Sequence, residues 1–399
     1  MDAHSLYSTQ GRRWQPPQHL AALLPDIGAQ AAAADRSRTI APELIRALKR
    51  NDVMRLSGST ELGGLNATVL DIGNELRGAA VACTSTAWCL WNHLCTFHHF
   101  TGLLGPPQLD FLGGIVSRQE WVCFPSGAST KVKASAEGDR TLLTGVAAFG
   151  SGARYADWAG VVFSGPKPGT LSFSMADLHG PGVRIDATWE AMSLRASATD
   201  HLYYDQVAVP SERVVPWVPM YRALFRNPDY AVIHPRYRED WVALSVLWLG
   251  AMATGVAEIC FEETAGGIRE RVAIFGTKMA DRPTVHVNLG RARALINAAT
   301  DTVYAAMAET DARIHAKVIP TEGDYFRQTS AGMQAVLLCD EAMNLVLRVL
   351  GGNGLREGTD FERRYRDFRA MPLHINGHVD RITEQLGRIS LGLETQNPF

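Results

Sequence analysis

Apolar residues recur at helical spacing through the first third of the chain. An amphipathic run follows Pro42 and ends at Lys49, and residues 66–91 carry apolar side chains three and four positions apart. This spacing places apolar side chains on one face of a helix. Residues 62–65 read Leu-Gly-Gly-Leu and predict a tight turn between the two helices, because adjacent glycines interrupt helical structure. We therefore predict that residues 1–117 form an N-terminal helical domain.

The pattern changes over residues 118–232. Short runs of Val, Phe, Trp and Thr are separated there by Gly, Pro and Asp, which is typical of β-strands joined by turns. The clearest predicted strands lie at 121–124, 141–146, 158–163 and 202–207. This part of the chain is predicted to form a central all-β domain, built as a barrel or a sandwich.

Long amphipathic helices return at about residue 240. They are predicted over 241–263, 283–308 and 325–350, and Gly351 and Gly352 end the last of them. Residues 233–399 are therefore predicted to form a C-terminal helical-bundle domain. The order of helices, strands and helices gives an α+β fold class, in which a β domain is inserted into a helical bundle.

The composition is that of an ordinary soluble globular protein. The 399 residues are 46% hydrophobic, and their formal net charge is −2, so neither nucleic acid nor an anionic membrane surface is an expected partner. Residues 1–17 contain no apolar segment of a secretory signal. The sequence pattern also predicts no membrane-spanning segment.

Six cysteines are scattered along the chain, and three of them recur every sixth residue on one predicted helix: Cys83, Cys89 and Cys95. They form no CxxC pair and no Cys/His cluster at zinc spacing, so no metal site is expected. We interpret them as reduced, structural thiols of a cytoplasmic protein.

The end of the chain carries a resemblance to a known family. A glycine-rich turn at 351–354 is followed by Tyr365-Arg366-Asp367, which resembles the C-terminal motif of acyl-CoA dehydrogenases. In that family a catalytic glutamate follows, whereas residues 373–378 here read Leu-His-Ile-Asn-Gly-His. The substitution by His374 resembles the oxygen-using branch of the superfamily, the two-component (group D) flavin-dependent monooxygenases, whose matching histidine lies beside the flavin.

Other motifs extend this resemblance over about residues 40–390. Gly63-Gly64 followed by the segment 84–88, and the segment 149–152 followed by Asp157-Trp158, are similar to elements of the monooxygenase branch. Residues 193–199 with 207–210, and Arg271 with Phe275-Gly276, resemble elements of the whole superfamily, although the second has one extra residue. The resemblance implies the acyl-CoA dehydrogenase-like fold, with an N-terminal helical domain, a central β-barrel or sandwich and a C-terminal bundle.

The same resemblance implies an activity. We expect the oxygenase component of a two-component monooxygenase, which uses reduced FMN or FAD and O2 through a C4a-(hydro)peroxide to hydroxylate a small aromatic or heteroaromatic substrate. No GxGxxG motif follows a strand and no GxxxxGK[ST] motif occurs, so the chain shows no NAD(P)H or ATP site of its own. The reduced flavin is therefore expected to diffuse from a separate NAD(P)H:flavin reductase. Relatives are usually homo-tetramers, with the apolar segment 331–350 as a candidate contact surface.

Three residues are predicted to be catalytic: Ser151, His374 and His98. Ser151 lies between two glycines, which let the backbone approach a flavin ring closely, and its hydroxyl is the candidate partner of the N5 edge. His374 can donate or accept a hydrogen bond near neutral pH. A turn serine and a core histidine are the plain structural interpretations of these two residues. Which of His93, His98 and His99 faces the pocket is left open.

Two groups of residues are predicted to bind ligands. The cofactor group comprises a strand beneath the flavin, the turn around Ser151 and donors for the phosphates, which relatives often take from a neighbouring subunit: Cys123, Phe124, Ser126, Phe149, Gly150, Ser151, Arg271, Gly351, Gly352 and Asn353. Arg291 is a further phosphate candidate, and surface ion pairs are the structural alternative for both arginines. The substrate group is Trp88, His93, His98 and Trp121, for which packing in the apolar core is the alternative.

Other functions fit the same sequence. An acyl-CoA dehydrogenase or oxidase with a relocated base is one, and Glu239 or Asp240 would supply that carboxylate. An amine N-hydroxylase on the same fold is another. A non-enzymatic scaffold is the third, and it would have no saturable affinity for reduced flavin.

Overall fold

The computed structural model describes residues 14–127, 131–165, 169–217, 221–273 and 276–395. The α-helices in these ranges are α1 Leu24–Ser37, α2 Pro42–Lys49, α3 Val69–Ala82, α4 Thr84–Leu104, α5 Leu109–Ser117, α6 Tyr221–Arg226, α7 Trp241–Ile268, α8 Pro283–His315, α9 Glu322–Leu350, α10 Asp360–Phe368 and α11 Val379–Ser390. The β-strands are β1 Val122–Cys123, β2 Lys131–Glu137, β3 Arg140–Gly150, β4 Trp158–Ser164, β5 Leu171–Asp177, β6 Val183–Asp186, β7 Asp200–Pro210 and β8 Val215–Trp217.

The N-terminal helices follow the predicted pattern with one break. The Thr68 side chain accepts a hydrogen bond from Asp71 N and so caps α3, which starts three residues later than predicted. Cys83 has an extended backbone, with φ −154°, and separates α3 from α4. Every residue of α4 is buried. The single predicted helix over 66–91 is therefore two helices, and the second is the central helix of the molecule.

The β domain consists of two open four-stranded sheets, ordered β1-β4-β5-β8 and β2-β3-β7-β6. Strand β1 pairs with β4 in parallel, and the other pairs are antiparallel. Apolar residues of both sheets share one core. All four of the clearest predicted strands are present. Of the two predicted architectures, a barrel and a sandwich, the structure fits the sandwich, because neither sheet closes into a barrel.

Three long helices, α7, α8 and α9, pack together after the β domain and confirm the predicted helical C-terminal region. Helix α7 is long and apolar enough to cross a membrane by length and composition, with mean hydropathy 1.7, but 94% of its most apolar window is buried inside the protein. The expectation that no segment resembles a membrane span was wrong, because a fully buried core helix has the same composition. The domain limits at residues 117 and 232 stay a prediction.

The cysteine side chains belong to the core. All six cysteines are free and buried, as predicted. Burial raises the pKa of the thiols, Cys260 to about 12 among them, so they are poor nucleophiles. Among the described residues, no group of three His, Cys, Asp or Glu side chains is placed to hold a metal ion.

Candidate active site

Trp88 on α4 joins the two residues that the sequence singled out for catalysis. Its indole Nε1 donates a hydrogen bond to Ser151 Oγ over 3.0 Å. The edge of its ring meets the His374 ring, with centroids 5.4 Å apart. Three segments that are distant in the sequence, namely α4, the turn after β3 and the turn after α10, thus meet at one place. We call Ser151, Trp88 and His374 the central cluster.

Ser151 lies in a tight turn at the end of β3. A side chain at Gly150 would come within 2.8 Å of Leu202, and Gly152 has φ +76°, so both flanking positions favour glycine. Ser151 Oγ lies 3.0 Å from Thr199 Oγ1, which lies 2.7 Å from Ser197 Oγ. Since the indole N–H occupies one lone pair of Ser151, its own proton is free to point along this chain or toward a ligand.

His374 is partly buried, and aromatic rings surround it. Trp91 meets it edge to face at 4.8 Å, and Trp91 also contacts Trp88 with ring centroids 4.8 Å apart, so the three rings pack against one another. Burial lowers the pKa of His374 to about 4, and the positive charge of Arg381 adds to this effect, so the ring is neutral at pH 7. Its Nδ1 accepts a hydrogen bond from Asn376 N over 3.2 Å. The proton of the neutral ring is therefore on Nε2, which makes Nε2 a hydrogen-bond donor rather than a base.

The turn that carries His374 is anchored to α7. Asn376 Nδ2 donates to Ser245 Oγ over 3.0 Å, and Trp91 Nε1 donates to the Ser245 carbonyl oxygen over 2.8 Å. These bonds fix both the histidine and one of its aromatic neighbours to the same helical turn. Second-sphere bonds of this kind hold a functional side chain in one orientation.

The Tyr-Arg-Asp motif has a positioning role in this structure. Arg366 donates two hydrogen bonds to the Asp35 carboxylate, at 3.0 and 2.9 Å, one to Glu362 at 2.7 Å and one to the Met192 carbonyl at 2.6 Å. Asp367 Oδ1 accepts from Leu194 N over 2.7 Å. The motif ties the helix before His374 to the segment that leads into Ser197 and Thr199. It therefore aligns both sides of the central cluster.

Asp367 is fully enclosed at this junction. Burial raises the pKa of its carboxyl to about 7, while the Leu194 N–H and the neighbouring Arg366 charge act in the opposite direction. The carboxyl consequently titrates in the neutral range, and it bonds Leu194 N rather than Ser151 or His374.

The three histidines of α4 have different surroundings. Both ring nitrogens of His93 are used: Nε2 donates to the Met54 carbonyl over 3.1 Å, and Nδ1 accepts from Val122 N over 3.0 Å. His98 Nε2 donates to the Glu239 carbonyl over 2.9 Å. Burial lowers the pKa of His93 to about 4 and that of His98 to about 3. Neither histidine is brought to the central cluster, so the structure gives no support to a catalytic His98 or to a substrate contact by His93.

His99 is the histidine that packs among aromatic side chains. Its ring stacks on Trp241 at 4.7 Å and 19°, and it meets Trp217 at 5.4 Å and Phe124 at 6.2 Å. Helical spacing puts residues 88, 92 and 99 on one face of α4. Sequence periodicity defines that face, but only the packing of α4 against its neighbours shows which side chains this face meets.

The predicted cofactor strand and its neighbours divide into buried and exposed residues. Cys123 and Phe124 are buried, whereas Ser126 is exposed and residues 128–129 lie outside the described residues. Phe149 has φ 61° and is 51% exposed, and it contacts Trp189 and His201. A large exposed aromatic side chain two residues before Ser151 is a suitable surface for a flat ligand.

Trp121 does not belong to the aromatic group around His99. It is fully buried and packs against His93 at 5.8 Å and Tyr155 at 6.3 Å. Its surroundings are those of a core residue, which was the alternative interpretation.

The predicted phosphate donors lie together but far from the central cluster. Arg271 Nη1 donates to the Leu350 carbonyl over 3.4 Å, beside the exposed turn of Gly351, Gly352 and Asn353. Phe275 lies outside the described residues. Helix α7 runs from Ser245, next to His374, to its end near Arg271, a span of about 35 Å. Within one chain these donors and Ser151 cannot contact the same part of a flavin. Arg291 forms an exposed ion pair with Glu341 at 2.9 Å.

The carboxylates that a dehydrogenase would need are engaged elsewhere. Arg313 holds both oxygens of Glu239 at 2.8 Å, and Gln328 adds a hydrogen bond at 2.9 Å. Burial raises the pKa of Glu239, although the Arg313 charge opposes the change. Asp240 accepts hydrogen bonds from Val242 N and Ala243 N and caps α7. Neither residue is placed as a relocated base beside His374.

Comparison of the sequence with known proteins identifies relatives of this chain. The family model described as acyl-CoA dehydrogenase, C-terminal domain, matches residues 247–378. The chain is 26% identical over 395 residues to the flavin-dependent monooxygenase oxygenase subunit HsaA of Rhodococcus jostii, covering 94% of this chain and 98% of that protein. It is 24% identical over 392 residues to the oxygenase component of p-hydroxyphenylacetate 3-hydroxylase of Acinetobacter baumannii, covering 93% and 88%.

Solved structures also resemble this chain over most of its length. XiaF from Streptomyces sp., in complex with FADH2 and glycerol, matches with a TM-score of 0.84 at 20% identity, covering 94% of this chain and 95% of that chain. TdsC from Paenibacillus sp. A11-2, in complex with FMN and indole, matches with a TM-score of 0.81 at 19% identity, covering 95% and 97%. At these identities the superpositions establish a shared fold.

Proposed function

We propose, for a chain that has the acyl-CoA dehydrogenase-like fold, that it is the oxygenase component of a two-component flavin-dependent monooxygenase acting on a small aromatic or heteroaromatic substrate. The observation that carries the proposal is the central cluster. A neutral imidazole that presents an N–H stands where the dehydrogenases place a carboxylate, beside a serine hydroxyl in a glycine turn. The full-length likeness to HsaA and to p-hydroxyphenylacetate 3-hydroxylase supports the same function.

The residues present fit a flavin ring. Ser151 is buried at 7% exposure, and the glycines on both sides of it carry no side chain that would block a flat ligand. The rings of Trp88, Trp91 and Phe124 would provide apolar walls that limit water. When bound, reduced FMN or FAD supplies the electrons with which O2 transfers one oxygen atom to the substrate. The chain itself contributes a hydroxyl at Ser151 and an N–H donor at His374.

The test begins with flavin and oxygen. We expect the protein to bind reduced FMN or FAD saturably without oxygen, and then to form hydroxylated product from a phenol or indole panel when O2 is admitted. Ser151→Ala and His374→Ala should each release more hydrogen peroxide and less product for every reduced flavin consumed. Ser117→Ala, which alters an exposed serine bonded only to its own helix, is the matched control and should behave as the wild type.

Two outcomes contradict the proposal. An acyl-CoA that bleaches protein-bound oxidised flavin in the absence of O2 shows a dehydrogenase. A protein with no saturable affinity for either reduced flavin shows a scaffold. A product that carries oxygen on an amine nitrogen, and none from phenols or indoles, would move the reaction to N-hydroxylation on the same site.

We further propose a homo-tetramer that receives reduced flavin from a separate NAD(P)H:flavin reductase in the cytoplasm. The segment 331–350 is mostly buried against its own chain, so it does not provide the expected contact surface. Exposed apolar side chains elsewhere in the C-terminal region are the candidates: Leu355, Leu373, Ile375, Leu391 and Leu393. The distance from Arg271 to the central cluster also favours a second copy, because phosphate donors would then come from a neighbouring chain.

Sedimentation equilibrium tests the assembly. We expect four times the chain mass of 43.6 kDa at micromolar concentration. A stable monomer, with Arg271→Ala leaving the affinity for reduced flavin unchanged, would contradict both the tetramer and the shared phosphate site.

A further inference from the structure

Asn92 is a polar residue in the middle of the buried helix α4. It is 9% exposed, and its Oδ1 is buried without a hydrogen-bond partner in the part of the chain that the structure describes. An unsatisfied buried acceptor costs about 1–3 kcal/mol. Native structures rarely leave such a group unpaired unless a ligand or water completes it.

The neighbouring polar side chains of α4 show the contrast. Trp91 Nε1 donates to the Ser245 carbonyl, both nitrogens of His93 are bonded, and the Thr96 hydroxyl donates to the Asn92 carbonyl over 2.7 Å. These three polar side chains of α4 therefore have hydrogen-bond partners, whereas the Asn92 amide oxygen has none within the described ranges.

That position is on the face of α4 that also carries Trp88 and His99. Asn92 lies four residues after Trp88 and seven before His99, so the three side chains share one stripe. Trp88 contacts His374, and His99 stacks on Trp241. Asn92 thus lies about 6 Å along the helix from the level of Trp88 and about 10 Å from that of His99.

A second unsatisfied polar atom lies at the His99 end of this stripe. Trp241 Nε1 is buried and has no acceptor among the described residues. The two helices α4 and α7, which pack against each other, therefore each carry a buried polar atom that is unpaired within the described part of the chain: an acceptor at Asn92 and a donor at Trp241. By contrast, His98 Nδ1 is also unpaired, but that ring is 1% exposed and packs on Tyr237, away from the stripe.

We propose that Asn92 determines substrate specificity in the monooxygenase reaction proposed above: its Oδ1 accepts a hydrogen bond from a hydroxyl or ring N–H of the aromatic substrate. The assignment rests on the proposed function, because it concerns the substrate of that same site. An aromatic ring lying along the stripe is held by Trp88 and His99 through ring contacts, and its polar donor is read by the amide. A site built to accept a donor rejects analogues that lack it, since the amide oxygen is then left unpaired.

The test uses ligand pairs that differ only in the donor. Phenol is compared with anisole, and indole with 1-methylindole, by equilibrium dialysis against the anaerobic complex of the protein with reduced flavin. We expect the donor-bearing member of at least one pair to bind about tenfold more tightly to the wild type. Asn92→Leu, which keeps the volume but removes the amide, should bring that ratio close to one. Asn92→Asp, which keeps an acceptor oxygen, should retain a preference for the donor-bearing member.

Thr96→Val is the matched control on the same helix. Its hydroxyl is bonded to the helix backbone, so the wild-type ratio should persist. A wild-type protein without any preference, whether both members bind alike or neither binds, overturns the role of Asn92. The role is equally overturned if Asn92→Leu keeps the wild-type preference. Circular dichroism checks that Asn92→Leu is folded. If this variant is not folded, the preference of the wild type for the donor-bearing ligand decides alone whether the proposal stands.

Failure of the proposed function is measured separately. The affinity of the wild type for reduced flavin, and its reaction with O2, are determined without any aromatic ligand. Absence of flavin binding overturns the monooxygenase itself. Flavin binding and hydroxylation without discrimination between the paired ligands overturns only the assignment of Asn92.

Discussion

Replacing Arg366 tests whether the Tyr-Arg-Asp motif aligns the site or binds a ligand. Its guanidinium bonds Asp35, Glu362 and the Met192 carbonyl at once, and the side chains of Arg366, Asp35 and Glu362 are only 10%, 13% and 18% exposed. Lysine keeps the charge but cannot reach all of these acceptors from one ammonium group. We expect Arg366→Lys to lower the free energy of unfolding by about 2–3 kcal/mol, within the range for hydrogen bonds to buried charges.

The neighbouring arginine on α10 is the matched control. Arg364 pairs with Glu263, whose side chain is 46% exposed, so Arg364→Lys should cost no more than about 1 kcal/mol. Both variants are compared by urea unfolding with tryptophan fluorescence, at one protein concentration because assembly affects apparent stability. A double-mutant cycle with Asp35→Asn should give a coupling energy of about 1–3 kcal/mol between residues 35 and 366.

Two results would refute a positioning role. One is an equal, small loss of stability in Arg366→Lys and Arg364→Lys with no coupling to Asp35. The other is unchanged stability combined with lost affinity for reduced flavin, which would make Arg366 a ligand contact.

Three further predictions concern the same region. The folded-state pKa of Asp367 is raised to about 7 from an ordinary 3.8, so its contribution to stability is present below pH 4 and is lost as pH rises through 7. Relative to Asp367→Asn, the wild type should therefore be more stable at pH 5 than at pH 8. An equal difference between the two proteins at both pH values in urea unfolding would contradict this. The pKa of His374 is lowered to about 4, so the stabilising effect of the neutral ring is present above pH 6.5 and fades as pH falls toward 4. NMR of the ring nitrogens should show a neutral, Nε2-protonated imidazole at pH 6. Half-protonation at pH 6 would show an ordinary, solvated ring. Thr199→Val leaves Ser151 and Ser197 without their shared partner and should cost about 1–3 kcal/mol in thermal and urea unfolding. The control Thr141→Val, at a half-buried residue whose hydroxyl bond to Ser211 is exposed to solvent, should cost less than about 0.5 kcal/mol. Equal costs would mean that the hydroxyl chain is not needed for stability.

Periodicity in the sequence predicted the fold well because most elements are long. The helices at 42–49 and in the C-terminal region, and four of the strands, follow from apolar spacing and turn residues alone. The break at Cys83 did not follow, since no glycine or proline marks it and helical apolar spacing resumes directly after the short hydroxyl run of residues 84–86. Its extended backbone is imposed by tertiary packing, which overrides local preference.

The site was predictable only where the chain itself marks it. Glycines around Ser151 and the missing glutamate at position 374 are visible in the sequence, and the structure brings both residues to Trp88. Adjacent histidines of α4 look alike in the sequence, but one helix step of about 100° separates His98 from His99. That rotation turns one ring to the backbone of Glu239 and the other to Trp241. Only the packing of neighbouring elements could decide between them.

The exchange of glutamate for histidine changes what the site can do with protons. A carboxylate beside a flavin removes a proton from a substrate carbon, whereas His374 is neutral, uses Nδ1 as an acceptor for Asn376 and has only a donor to offer. Glu239, the carboxylate that a relocated base would require, is held by Arg313 and is not placed beside His374. Such a site would donate a hydrogen bond from His374 to a bound flavin or substrate, and it would not remove a proton from carbon there. The direction of the hydrogen bond at residue 374, more than the identity of the ring, is therefore what separates this site from that of a dehydrogenase.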